Sequence, residues 1–366
     1  MPIDFDPDRW EKLANDAGAW WAGELERPLL QVRLHGADPG RPEPDIPARR
    51  FTCHYDASIS AERIVDRWDY DLSRTKFLGD AFPNVTPNFG AGAVAAFLGA
   101  GIHNTGDTTW FVAKEELAIG DITFDFDADE EWFERARDVC RTAIDRWRGS
   151  VQVDMVDLGG TLDVLTTFRP SDSLMFDLFD DPDVVERLNW RIHELWMRYF
   201  EEFNAILQPA NPAYTAWAPI LSKEPFYILQ SGFSFSLSPD MFERFVKPQL
   251  AAACRALPNS FYHLDGPGQL NHLDSLLEIE GLKGLRWDPG EGNADEDGWL
   301  EIYERIRAAG KLVQVGMSDG SQTENFERIV DRLGSGKGLV WIYQGDMSEE
   351  EELGRFLEKF GAARVD

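Results

Sequence analysis

Phe261-Tyr262-His263-Leu264-Asp265-Gly266-Pro267-Gly268-Gln269-Leu270-Asn271-His272-Leu273 joins an aromatic run, a polar pair, a Gly/Pro turn and an apolar-periodic segment. This is the order of a buried strand, a turn and a helix. Side chains at i and i+2 of a strand leave on one face, so His263 and Asp265 emerge together at the strand's end. A histidine beside a carboxylate can ligate a metal or exchange a proton. It can equally organise a turn, with the aspartate capping the next helix and the histidine hydrogen-bonded in the core.

The elements around the pair repeat. Segments 260–264, 284–287, 311–315 and 338–343 are short apolar runs that read as strands, and helix-patterned segments follow near 269–279, 297–309, 323–333 and 348–361. Four such units without a hairpin signal imply parallel strands. Further strands are expected at 28–34, 151–157 and 227–231, and no Gly-x-Gly-x-x-Gly follows any of them, which removes the signature of a dinucleotide-binding sheet. The count favours an α/β fold of the closed (β/α)8 TIM-barrel type. It would form one domain over residues 1–366, with 1–75 a helical and loop extension.

The first half is more decorated. Trp10, Leu13, Ala17, Trp20 and Trp21 fall at helical spacing, and Pro39 to Pro47 reads as a surface loop. Ser60 is the expected cap of a helix through Ile64, Val65 and Trp68, and 77–90 reads as a long loop leading into a small-residue helix at 91–99. Trp110 and Phe111 suggest a short strand. Asp129 is the expected cap of a helix whose apolar face includes Cys140, and a long helix starts at Asp183. Ser238-Pro239 opens another, with cap and proline in the favoured order.

In a barrel the chemistry sits where strands end and the following loops begin. Those positions hold Asp157; Gln230 and Ser231; His263 and Asp265; Trp287 and Asp288; Gln314; then Tyr343, Gln344 and Asp346. The 77–90 loop adds Asp80 and Asn88 as candidate pocket residues. Trp110 and Trp287 are candidate pocket walls, against an aromatic-core alternative. Asp346 is read first as a cap ahead of Ser348 and second as a site residue, His272 as a neighbour of the pair or an exposed residue, and His193 as a helix-surface residue.

Composition narrows the partners. The 366-residue chain carries 65 acidic and 36 basic residues, a net charge of −29 spread along its length. Such a surface repels phosphate backbones and anionic lipid, so neither nucleic acid nor membrane is an expected partner. A small-molecule substrate is expected, and a homodimer is a candidate assembly. The acidic N-terminus lacks the order of a signal peptide, and no apolar run reaches membrane-spanning length. Three widely spaced cysteines, Cys53, Cys140 and Cys254, form neither a disulfide framework nor a Cys-x-x-Cys site. A cytoplasmic location is the expectation.

The chain resembles the uroporphyrinogen decarboxylase superfamily, which includes the cobalamin-dependent methyltransferases. The resemblance is carried by Ile228-Leu-Gln-Ser-Gly232, Ser238-Pro-Asp-Met-Phe242, Val246-Lys-Pro248, Tyr262-His-Leu-Asp-Gly266 and Gln344-Gly-Asp346, with Gly160-Thr-Leu-Asp163 and Asp181-Pro-Asp183 before the long helix. It implies a (β/α)8 barrel with its site at the C-terminal mouth. Methyltransferase members hold zinc with a His-x-Cys pair and a Cys in the last loop. The corresponding positions here are His263, Asp265 and Asp346, a harder ligand set. The implied activity is methyl transfer or demethylation linked to a corrinoid on a partner protein, with His263 and Asp265 catalytic or metal-binding. The decarboxylase branch implies instead a carboxy-lyase with Asp80 as its catalytic aspartate, although only scattered arginines, Arg27 and Arg33, stand where that branch is Arg-rich. A third reading is a non-catalytic ligand-binding barrel.

Overall fold

The computed structural model describes residues 3, 5–106, 108–290, 299–315 and 322–362. Its strands are β1 (Leu29–His35), β2 (Thr75–Gly79), β3 (Asn84–Val85), β4 (Gly101–Asn104), β5 (Thr109–Val112), β6 (Gln152–Val153), β7 (Phe226–Leu229), β8 (Asn259–Asp265), β9 (Gly284–Asp288), β10 (Leu312–Val315) and β11 (Leu339–Asp346). A seven-stranded sheet runs in the order β2-β1-β11-β10-β9-β8-β7, and all its pairs are parallel except β1 with β2. A second, parallel pair joins β3 to β6, and β4 and β5 form an antiparallel hairpin. The fold is α/β with a mostly parallel sheet and many helices.

The four C-terminal units form as their apolar runs dictate. Helices follow at Leu273–Leu277, Leu300–Ala308, Gln322–Leu333 and Glu350–Lys359; residues 297 and 298 of the expected second helix lie outside the described residues. Alternate strand positions point outward under these helices. Thus Tyr262, Trp287, Val313 and Trp341 are buried in the layer between sheet and helices.

Three local expectations change. Residues 75–79 of the expected helix–loop passage form β2, because the β1 edge opposite β11 offers backbone partners to Thr75–Gly79. The small-residue helix shrinks to Val94–Phe97, since Gly90 and Gly92 take positive φ and the Gly92 backbone packs against Gly159. The helix Glu131–Trp147 is capped by Glu130, which accepts the Phe133 amide at 2.8 Å, while Asp127 takes the amide of Asp129.

The N-terminal helix Pro7–Trp21 packs against the N-terminal ends of the strands. Trp20 is fully buried, donates to the Leu339 carbonyl at 3.0 Å and stacks on Phe261. No helix among the described residues is long and apolar enough to cross a membrane.

Candidate functional site

Strand register places the site. In the parallel ladder His263 pairs with Arg286 and Arg286 with Gln314, while Asp265 pairs with Asp288 one step closer to the C-terminal strand ends. Rung partners project to the same face. So β8, β9 and β10 present His263, Arg286 and Gln314 side by side, with Asp265 and Asp288 above the first two. On β1, Gln31 and Arg33 point the same way, and Arg33 pairs with Gln344 of β11.

His263 is held by contact with an aromatic ring, Trp217, whose centroid lies 5.2 Å away at 84°. Burial, reinforced by the charge of Arg286, pulls its pKa down to about 3, so the imidazole is neutral at physiological pH. Its Nε2 stands 3.9 Å from Asp265 Oδ2, beyond hydrogen-bond reach. Asp265 keeps 55% of its side chain exposed, and burial of the remainder, with Asp288 nearby, raises its pKa. Arg286 reaches Asp288 Oδ2 through Nη2 at 3.0 Å and covers the Trp217 ring at 5.3 Å. Burial works against Asp288, but Arg286 outweighs it and the carboxyl is held below its ordinary range.

Asp157 follows β6. Its Oδ1 accepts from the Gly159 amide at 3.0 Å and lies 3.4 Å from both Tyr227 Oη and Gln230 Nε2. Burial pushes its pKa up to about 7 and Asp163 adds to the rise, against the hydrogen bonds that favour the charged form. Asp163 itself accepts the amides of Gly232 and Phe233 at 2.8 and 2.7 Å. That fixes the turn following Gln230 and Ser231, and the Ser231 hydroxyl is buried with no partner.

Deeper in the interior, Asp154 is fully buried and accepts from Thr86 and Thr215, each at 2.6 Å, and from Asn84. Burial sets its pKa at about 6 despite those donors. Burial likewise pulls Arg33 down to about 10, with Asp154 opposing it, and Arg33 Nε and Nη2 have no hydrogen-bond partner.

The other expected site residues are distributed differently. Asp80 lies near the N-terminal end of β1, at the opposite end of the strand from Arg33 and His35. It accepts both nitrogens of the Arg27 fork and the amide of Leu30, so the structure does not bring it to His263. Trp287 faces outward and packs on Trp299. Tyr343 also faces outward, stacked near Trp341 with its hydroxyl on Glu349; strand alternation, set by Gln344, decides this. Trp110 stands on the β4–β5 hairpin and is 61% exposed. Asn88 caps its own turn, accepting from the Gly90 amide and donating to the Arg50 carbonyl. Gln344 is exposed beside His35. His272 is buried, bonded to the Ser234 carbonyl and stacked on Phe242.

Zinc ligation was expected from His263, Asp265 and Asp346. Asp346 instead accepts the Ser348 amide at 3.0 Å as the cap of a short turn. Among the described residues no three His, Cys, Asp or Glu side chains come together as a metal-binding group. A zinc site takes at least three protein ligands, so these residues do not fit it.

Asp154, Trp217 and Arg286 carry no role in the sequence reading, and Arg33 enters it only as a scattered arginine. The available signal was a charge inside an apolar strand, as in Val32-Arg33-Leu34 and Leu285-Arg286-Trp287. A charged residue between outward-facing apolar neighbours must point to the opposite, interior face.

The sequence matches no known protein-family model and no curated protein. Its fold is similar to that of a methyltransferase from Methanosarcina mazei, with a TM-score of 0.58 over 91% of this chain and 93% of that one. This is a methyltransferase-like fold. The two sequences are 13% identical, so the likeness is one of backbone arrangement, and kinship with the decarboxylases rests on the motifs alone.

Proposed function

We propose that the chain is an enzyme acting on a small molecule at the C-terminal strand ends of a closed (β/α)8 barrel, and that its reaction is methyl transfer. The six parallel strands of the main sheet, β1 and β7 to β11, and the separate parallel pair β3 and β6 together make the eight that such a barrel takes. The observation that carries the reading is the row His263, Arg286 and Gln314, three polar groups side by side on adjacent strands with an unpartnered buried atom each. Burying such groups costs stability, and placing them at the mouth of a fold shared with a methyltransferase supports a substrate-handling role.

In methyl transfer a nucleophile attacks the methyl carbon. The new bond forms as the bond to the donor breaks, its electron pair leaves with the donor, and the nucleophile's proton needs an acceptor. Asp157 is suited to take that proton, because a pKa of about 7 gives it both forms near neutrality. His263 stays neutral and acts as a hydrogen-bonding and orienting group. The motifs favour a corrinoid on a partner protein as the methyl carrier.

Incubation with methylcobalamin and thiol or amine acceptors tests this. Loss of the methylcobalamin spectrum with equimolar methylated acceptor is expected; an unchanged spectrum with every acceptor overturns it. Arg33 favours one second reading, a carboxy-lyase, since a buried guanidinium with two unpartnered nitrogens suits a substrate carboxylate. Carbon dioxide release without methyl transfer would select it.

A further inference from the structure

We propose that Arg286, Trp217 and His263 form a recognition subsite for a singly charged carboxylate of the substrate. The inference rests on the small-molecule enzyme reading above and adds the chemical class of the molecule bound.

Trp217 joins the other two side chains. Trp217 meets the His263 ring edge-on at 5.2 Å, Arg286 Cζ lies 5.3 Å from the Trp217 ring, and His263 and Arg286 are rung partners. Each also ends in a buried polar atom with no hydrogen-bond partner: Arg286 Nε, Trp217 Nε1 and His263 Nδ1. Leaving such an atom without a partner costs stability. Three in one contact cluster at the end of adjoining strands mark a place built to meet a ligand.

The chemistry of the cluster is one-sided. A guanidinium and an indole only donate, and a neutral imidazole donates from one of its nitrogens. The matching ligand group is rich in acceptors, and a planar carboxylate can take Arg286 and Trp217 together. Its charge is limited by the neighbours. Asp288 already holds Arg286 Nη2 at 3.0 Å and Asp265 stands 3.9 Å from His263, so a dianion would meet two carboxylates. Asp288 serves as a positioning residue, fixing the guanidinium through the nitrogen that the ligand does not use.

The test titrates the intact protein with acetate, with acetamide as its neutral isostere, and with inorganic phosphate, following the Trp217 indole N–H resonance by NMR. Trp217→Phe assigns that resonance. Acetate is expected to shift it saturably, with acetamide and phosphate leaving it in place. Arg286→Gln should weaken acetate about ten-fold, as loss of one charge-assisted hydrogen bond implies, and Arg286→Lys should fall between the two. A shift by acetamide equal to that by acetate overturns the proposal. So does wild-type acetate affinity in either Arg286 variant with an unchanged circular dichroism spectrum, and phosphate binding as tight as acetate removes the single-charge limit. Methyl transfer is assayed on the same preparation. Charge-selective binding without methyl transfer removes only the reaction proposed above, and methyl transfer without charge-selective binding removes only the subsite.

Discussion

Arg27 grips both oxygens of Asp80, Nη1 at 2.6 Å from one and Nη2 at 2.8 Å from the other, while the Leu30 amide donates to the same carboxylate. Asp80 is 5% exposed, and a paired carboxylate this enclosed ties the segment after β2 to the start of β1. Asp80→Ala would remove two of the charge-assisted hydrogen bonds of the half-buried Arg27, leaving Asp16 as its one carboxylate partner among the described residues. The expected loss is about 3 kcal/mol in urea unfolding, with acetate affinity at the mouth unchanged. A stable Asp80→Ala protein that has lost ligand binding would restore Asp80 to the site.

Asp157 makes a pH-dependent contribution of definite sign. Its folded pKa of about 7 lies above the ordinary carboxylate value, so between about pH 4 and 7 the folded state holds more protons there than the unfolded state. Its contribution to stability therefore falls as pH rises through that window. Asp157→Asn should flatten this part of the curve and stabilise the protein above pH 7 by roughly 1–3 kcal/mol, read by urea midpoints at several pH values. If Asp157 is the base, the same variant should remove an ionisation near neutrality from the rate profile.

His263 contributes with the opposite sign. Its pKa is lowered to about 3, so between that value and the ordinary histidine range the unfolded state binds the proton and the folded state does not. Stability from this residue rises with pH across the interval and is lost toward pH 3. By NMR the His263 ring should show no titration from pH 5 to 8. A midpoint near 6.5 would contradict the packing against Trp217 and Arg286.

Gly159 sits at φ +78° with its Cα side against the backbone of Gly92. A Cβ there would collide with Gly92 as well as strain the backbone. Gly159→Ala should cost about 2 kcal/mol or more and disturb Asp157, whose Oδ1 accepts the Gly159 amide. The thermal midpoint reads the first effect, and a shift of the Asp157 ionisation reads the second.

The sequence by itself determined the local elements. Apolar runs of strand length made β7 to β11, the Ser238-Pro239 pair started its helix, and i, i+2 spacing put His263 and Asp265 on one face. These follow from near-neighbour sterics and hydrogen bonding, which a chain carries in its own order. It also indicated where the C-terminal ends of β7 to β11 gather, since successive parallel strands end along one edge of the sheet.

Only the tertiary structure decided which side chains meet there. Asn84 and Asp154, 70 residues apart, form one buried cluster, and Trp217 reaches His263 from a segment outside any strand. Asp80 left the expected site because β2 runs antiparallel to β1 and delivers it near Leu30. Asp346 left the ligand set because β10 and β9 stand between its strand and β8, and its carboxylate caps the Ser348 turn. Such outcomes depend on register and on which distant surfaces close against each other. No local pattern encodes those distances, whereas packing and the pairing of buried polar groups select them.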